Sequence, residues 1–239
     1  MSSPTISPFE IAVVNKTTQL SDLEVAKGAS AVNRQVTEHA APAWGRNIHV
    51  EYDARPEGLD WVIEIVDEST EEGAAGFHTI TTDPGEFGRT IGQVALDNRF
   101  PWTAVLSHEV LEMLVNPSVG GIETNWNDGL LYAREICDPV QSTIYKIDNW
   151  WVSDFILPEW FMADDRHDDC AFWTKKVKPF EIIEGGWAIR WDQNFGDQTI
   201  FRATDGLANH YRADFARTVV EKLQVEKMAE LTARGMQQS

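Results

Sequence analysis

Pro101-Trp102-Thr103-Ala104-Val105-Leu106-Ser107-His108-Glu109-Val110-Leu111-Glu112-Met113-Leu114-Val115-Asn116-Pro117 is apolar on nearly every side, yet it carries three ionisable groups. Pro101 suits a helix start and Asn116-Pro117 a helix end, so the spacing predicts a helix over 103–115. A helix without a polar face is a buried one. Buried carboxylates are costly unless they are paired or bind a cation. His108 and Glu112 stand at i and i+4 and share a face, so an imidazole nitrogen and a carboxylate oxygen can reach one ion. Glu109 is turned ~100° from His108 and can approach a water on that ion.

Upstream, Phe9-Glu10-Ile11-Ala12-Val13-Val14 reads as a strand. Ser21 and Glu24 form a capping box, and Val25, Ala29, Val32 and Val36 follow helical spacing. A helix is therefore expected over 22–40, stopped by Pro42. Strands are expected at 48–52, 61–66, 77–81 and 93–97, with a break over Gly73–Gly76 and a turn at Asp83-Pro84-Gly85. Downstream, 129–136 reads as a strand or hairpin arm. Residues 145–161 are aromatic and β-prone up to Pro158, and 180–202 carries more strand patterning. Residues 206–234, with Phe215, Val219 and Leu223 on one side, read as a C-terminal helix. The expected class is α+β. Residues 1–140 hold the metal-site domain, and 141–239 form a β-rich, Trp-rich extension packed with it as one globular unit.

Composition narrows the function. The chain has 239 residues and a formal net charge of −18, so a polyanionic partner is repelled; nucleic acid is not expected. The densest basic stretch, Lys175-Lys176-Val177-Lys178, is short and follows an acidic run. No apolar run approaches the ~18 residues of a membrane span, and Met1-Ser2-Ser3-Pro4 does not resemble a leader. A cytoplasmic protein is expected, with a place in a virion as the alternative. Cys137 and Cys170 lack a CxxC partner, which argues for two buried thiols rather than a thiolate zinc site. Eight of the ten tryptophans lie beyond residue 100 and are expected in a core or an interface; a sugar- or peptide-binding groove is the alternative.

Ser107-His108-Glu109-Val110-Leu111-Glu112 resembles the zincin metallopeptidases, whose signature is HExxH on a helix beneath a mixed sheet. The strand, helix, strands order over roughly 9–140 resembles theirs too. The resemblance implies a zincin-like mixed sheet with an N-terminal helix and a buried active-site helix. It makes His108 the first zinc ligand and Glu109 the general base. In the gluzincin branch a downstream Glu completes the ligand set, and Glu135-Ile136-Cys137-Asp138-Pro139 is the best source of it. Glu135 then binds the ion and Asp138 supports the site, or the reverse. Pro139 biases Asp138 to an extended conformation, so both acids are expected at a strand end. The phrases Ser-His-Glu-Val-Leu-Glu and Glu-Ile-Cys-Asp-Pro-Val are also similar to those of uncharacterised bacterial and phage proteins.

The sequence departs from the family at Glu112, which stands where the second His belongs. A carboxylate there adds negative charge and reduces the Lewis acidity of a bound ion. One His with two carboxylates is a harder donor set, open to Mn2+, Fe2+ or Ca2+ as well as Zn2+. The expected activity is metal-dependent hydrolysis of a peptide or protein. The ion would acidify a water, Glu109 would take its proton, and the substrate would lie along edge strand 77–81. His167 and His210-Tyr211 are oxyanion-donor candidates by residue type alone. His39, His49 and His78 are isolated and have no assigned function. The Asp164–Asp169 run lacks an EF-hand pattern and reads as a solvated turn. The alternative is a zincin-fold protein, weakly active or inactive, that partners other subunits in an assembly. A third reading is a binding module built on the Trp-rich half.

Overall fold

Strongly apolar β1 (Phe9–Asn15) lies inside a five-stranded sheet of order β2-β1-β3-β5-β4. Its partners are β2 (Ile48–Tyr52), β3 (Trp61–Val66), β5 (Thr90–Ala95) and β4 (Gly76–Ile80). The first four strands run parallel, and β4 pairs antiparallel with β5 at the edge. A computed structural model describes residues 9–201 apart from 57–60, 72, 82–87, 97–99, 165 and 193–195, and gives backbone only over 191–201. Successive side chains of a strand point to opposite faces. Ile11, Val13, Ile63 and Ile65 accordingly join the main core, while Ala12, Val14 and Val62 form a separate cluster.

The chain passes from β1 to the parallel β2 through helix α1 (Asp22–Gln35). Its capping box is formed: Ser21 Oγ accepts from the Glu24 N–H, and the Glu24 carboxylate accepts from the Ser21 N–H. Pro42 does not stop the helix, contrary to expectation. The helix widens over Val36–Ala40, where Ala41 N–H reaches the Val36 carbonyl, and runs on as α2 (Ala41–Trp44). The wider turn accommodates a ring that lacks an N–H and would clash in a regular turn. Gly45, in the left-handed region at φ 64°, ends it.

Helix α3 (Trp102–Val115) lies against β4, β5 and α1. Beyond it comes a four-stranded antiparallel sheet of order β11-β10-β7-β6: β6 (Ile122–Asn125), β7 (Leu130–Ala133), β10 (Trp187–Asp192) and β11 (Gly196–Phe201). Strands β7 and β10, on either side of residue 140, are neighbours in it. A separate hairpin joins β8 (Ile144–Ile147) to β9 (Trp150–Ser153) through Asp148-Asn149, both at positive φ, as a tight hairpin turn requires. Strand β9 packs on α3, and the Ser153 N–H donates to Ser107 Oγ at 2.6 Å. Asp154, next in sequence, accepts from the N–H groups of Phe155, Trp173 and Thr174, each at 2.8 Å, and ties loop 172–174 to the strand.

The architecture is α+β, with a mixed sheet, one long buried helix and a β-rich second half. The tryptophans divide: Trp160 and Trp187 are buried, whereas Trp126, Trp151 and Trp173 are exposed. Among the described residues no helix is long and apolar enough to cross a membrane. The expected turn at 83–85 and the helix over 206–234 lie outside the described residues.

Gly28 sets the distance between α1 and α3. A Cβ there would sit 2.3 Å from Trp102 Cη2 and 2.9 Å from Thr103 Cγ2. We expect Gly28→Ala to lower stability by about 1–3 kcal/mol in urea denaturation, with part regained when Trp102 is also cut to Leu. An unchanged midpoint would mean that the helices do not meet here.

Candidate metal centre

Twelve of the fourteen residues of α3, Thr103–Ser107 and Glu109–Val115, are buried, so the helix is enclosed on nearly every side. Leu106, Val110, Leu111, Met113 and Leu114 enter the core, which fixes the rotation of the helix and turns His108, Glu109 and Glu112 toward protein on their own sides. Gly76 of β4 lets the helix come close. A Cβ there would meet Val105 Cγ1 at 2.5 Å and Glu109 Oε1 at 2.8 Å.

His108 and Glu112 meet, as their spacing predicts: Nε2 lies 3.2 Å from Glu112 Oε1. The same Nε2 lies 3.2 Å from Asp138 Oδ1. Glu112 Oε1 also accepts from the Cys137 N–H at 3.3 Å. Its other oxygen lies 3.9 Å from His78 Nδ1, and that nitrogen is 3.2 Å from Glu109 Oε2. Glu135 takes a different place. Its Oε1 accepts from Asn116 Nδ2 at 2.8 Å, and its buried Oε2 has no hydrogen-bond partner among the described residues.

The segment 135–138 is not a strand end. Strand β7 stops at Ala133, and Asp138 opens a 3-10 turn, Asp138–Val140. Val140 and Gln141 close it with bonds to Cys137 and Asp138, and the ring of Pro139 has no N–H to spend there. That turn aims Asp138 at His108. It also brings in Cys137, whose Sγ donates to the His108 carbonyl at 3.7 Å. Burial and the charges of Glu112 and Asp138 push its thiol well above the usual range.

His78 is the member that the sequence did not reveal. It lies on β4 opposite Gly92, and its Nε2 lies 3.3 Å from the Asn116 carbonyl at the end of α3. The other histidines play separate parts. His39 stacks on Phe172 and bonds Tyr145, and His49 faces Glu51 on the surface. No hydrogen bond or ion pair among the described residues links His167 to the cluster; His210 and Tyr211 lie outside those residues.

Protons hold the cluster together when no cation is bound. Burial opposes the imidazolium of His78, but the Glu109 hydrogen bond and the charges of Glu135, Glu109 and Glu112 outweigh it and raise its pKa to about 9. His108 is raised well above its ordinary value: burial is overcome by Glu112 and Asp138. Burial works to raise Glu112, yet the His108 charge and hydrogen bond leave it lowered. Burial and the Glu112 charge push Glu135 well up.

Two groups have ligand atoms within 4.8 Å of one another: His108, Glu112 and Cys137, and His78, Glu109 and Glu112. Donor atoms around a tetrahedral zinc, each about 2.0–2.1 Å from the ion, stand ~3.3 Å apart. The separations from His108 Nε2 to Glu112 and to Asp138 match that spacing. The donor types and these two separations are compatible with a divalent ion, although Asp138 belongs to neither of the two groups. No protein-family model, curated protein or solved structure matches the chain.

The metal-free protein should depend on pH through these imidazoles. The fold holds the His78 proton more tightly than the unfolded chain does, so its contribution is full below the ordinary 6.5 and is lost as pH rises through about 9. Chelator-treated protein should lose a few kcal/mol over that window in urea denaturation, and His78→Gln should flatten the slope. Identical slopes would remove His78 from the cluster's electrostatics.

Proposed function

We propose that this chain is a metal-dependent hydrolase of zincin type, acting on peptides or proteins, with His108, Glu112 and Asp138 holding a divalent cation and Glu109 as general base. The observation that carries this reading is the single imidazole nitrogen 3.2 Å from carboxylate oxygens of two different segments. An N–H can be shared between two such oxygens, but a cation in its place satisfies all three donors at once. The unpartnered Glu135 oxygen adds a further donor beside the site. The helix that bears the motif packs against a mixed sheet, as the zincin resemblance implies.

Zinc suits the nitrogen donor; the two carboxylates also admit Mn2+, Fe2+ or Ca2+. A bound ion supplies Lewis acidity, which polarises a carbonyl and acidifies water. The rest is the chain's own work. When its ring is protonated on both nitrogens, His78 donates its Nδ1–H to Glu109 and holds the carboxylate in one orientation. Glu109 then takes a proton from the attacking water and returns it to the leaving amine. Strand β4 lies at the sheet edge beside α3, where an extended peptide would lie alongside it.

Burial favours a second reading. The side chains of Glu112 and Asp138 are 6% and 3% exposed and that of His108 is 14%. A site so enclosed also suits an ion that braces the fold of an assembly component.

Elemental analysis of the purified chain should find a divalent metal in the wild type and in Glu109→Gln, and little in His108→Ala. Against a peptide library, Glu109→Gln should lose turnover by about 100-fold or more. A metal-free wild type would end both readings. A metal-loaded wild type without turnover under zinc, manganese or iron would leave the bracing ion alone.

A further inference from the structure

We infer that His78, Glu109 and Glu112 form a second divalent-cation site, joined to the first by the two oxygens of the Glu112 carboxylate. It rests on the proposed first site in that the two share Glu112.

The ring of His78 supports it. Asn116 O is a carbonyl and can only accept, so His78 Nε2, at 3.3 Å, must carry the hydrogen. In the neutral ring Nδ1 then presents a lone pair. That lone pair faces Glu109 Oε2 at 3.2 Å and Glu112 Oε2 at 3.9 Å, so three electron-rich atoms converge. They need a cation between them, a proton or a metal. Metal-binding imidazoles usually donate their other N–H to a backbone carbonyl or carboxylate, as His78 does.

Glu112 supports it from the other side. Its Oε1 turns to His108 and its Oε2 to His78. A carboxylate placed so can bridge two ions ~3.5–4 Å apart. A histidine at 112, as in the zincin signature, presents one lone pair and could not.

Charge gives a third argument. Glu109, Glu112, Glu135 and Asp138 bring four negative charges when ionised, against two imidazoles that are neutral when they ligate. One divalent ion leaves two of these charges uncompensated in buried surroundings, or one where burial keeps Glu135 protonated, and a second ion offsets the remainder. The Glu135 oxygen without a partner lies within the electrostatic reach of Glu112 and His78. With a cation held among these atoms, Glu109 is a ligand and no longer free to take a proton. The second ion therefore opposes the hydrolysis proposed above.

Equilibrium dialysis of the metal-stripped full chain against Mn2+ alone, with elemental analysis, tests this directly. We expect two equivalents per chain in the wild type and one in His78→Gln. At two equivalents the Mn2+ resonance spectrum should show exchange coupling through the shared carboxylate. One equivalent in the wild type would overturn the second site and leave the first standing; none would overturn both. Two equivalents in His78→Gln, or two uncoupled ions in the wild type, would place the second ion elsewhere and refute the bridge. If His78→Gln does not fold, the wild-type stoichiometry and coupling decide.

Discussion

Buried negative charge is the constraint to which this structure answers. Four carboxylates and two imidazoles cluster on and around α3, in a core that could otherwise have been wholly apolar. Sequestering such groups costs several kcal/mol each unless every charge finds a counterpart. The surrounding elements hold the counterparts in place. Ser107 pins α3 to β9, Gly76 admits the helix to the β4 edge, and the 3-10 turn at Asp138 delivers a carboxylate from the second half. The site thus draws on residue 78, residues 108–112 and residues 135–138.

A carboxylate at position 112 has a physical sense here. An imidazole at that position would add one neutral donor to one ion. The carboxylate instead contacts both His108 and His78 and accepts from the Cys137 backbone. It is the hinge of the network, contacting both imidazoles at once. In the metal-free chain the same network closes with protons, which the raised pKa values of both imidazoles express. A cation would compete with protons for the same sites.

Much of the frame could be read from the residues. The capping box at Ser21 is local chemistry, and the strands at 48–52 and 61–66 follow from apolar runs bounded by breaks. Helix α3 and the His108–Glu112 contact follow from spacing within one element. His78 was not legible because its role depends on pairing. Only the antiparallel β4–β5 hairpin sets it opposite Gly92 and against the end of α3. Both cysteines are buried free thiols, as expected, but the neighbours of Cys137 come from a helix 25 or more residues away, which no local CxxC pattern records. Strand β6, Ile-Glu-Thr-Asn, went unseen because four mostly polar residues carry no pattern; pairing with β7 makes it a strand. At Pro42 and at Pro139 a local proline rule gave way to turns that need no N–H from the ring.

The Trp-rich half reads better as cover than as a binding platform. Trp160 is enclosed by Tyr132, Phe161 and Phe180 and donates its indole N–H to the Glu181 carbonyl, so it has no face to offer a ligand. Trp150 packs edge-on against Trp102 at the start of α3, and β9 lies along the same helix. The contacts hold the buried face of α3 away from water, where low dielectric strengthens every charge interaction in the cluster. His108 is the most exposed of the histidines and acids whose ion pairs define the cluster, and an ion or a proton would reach the others from its side. A metal centre assembled this way would gain affinity from enclosure and give up speed of access. That balance separates an ion that performs chemistry from one that braces a fold.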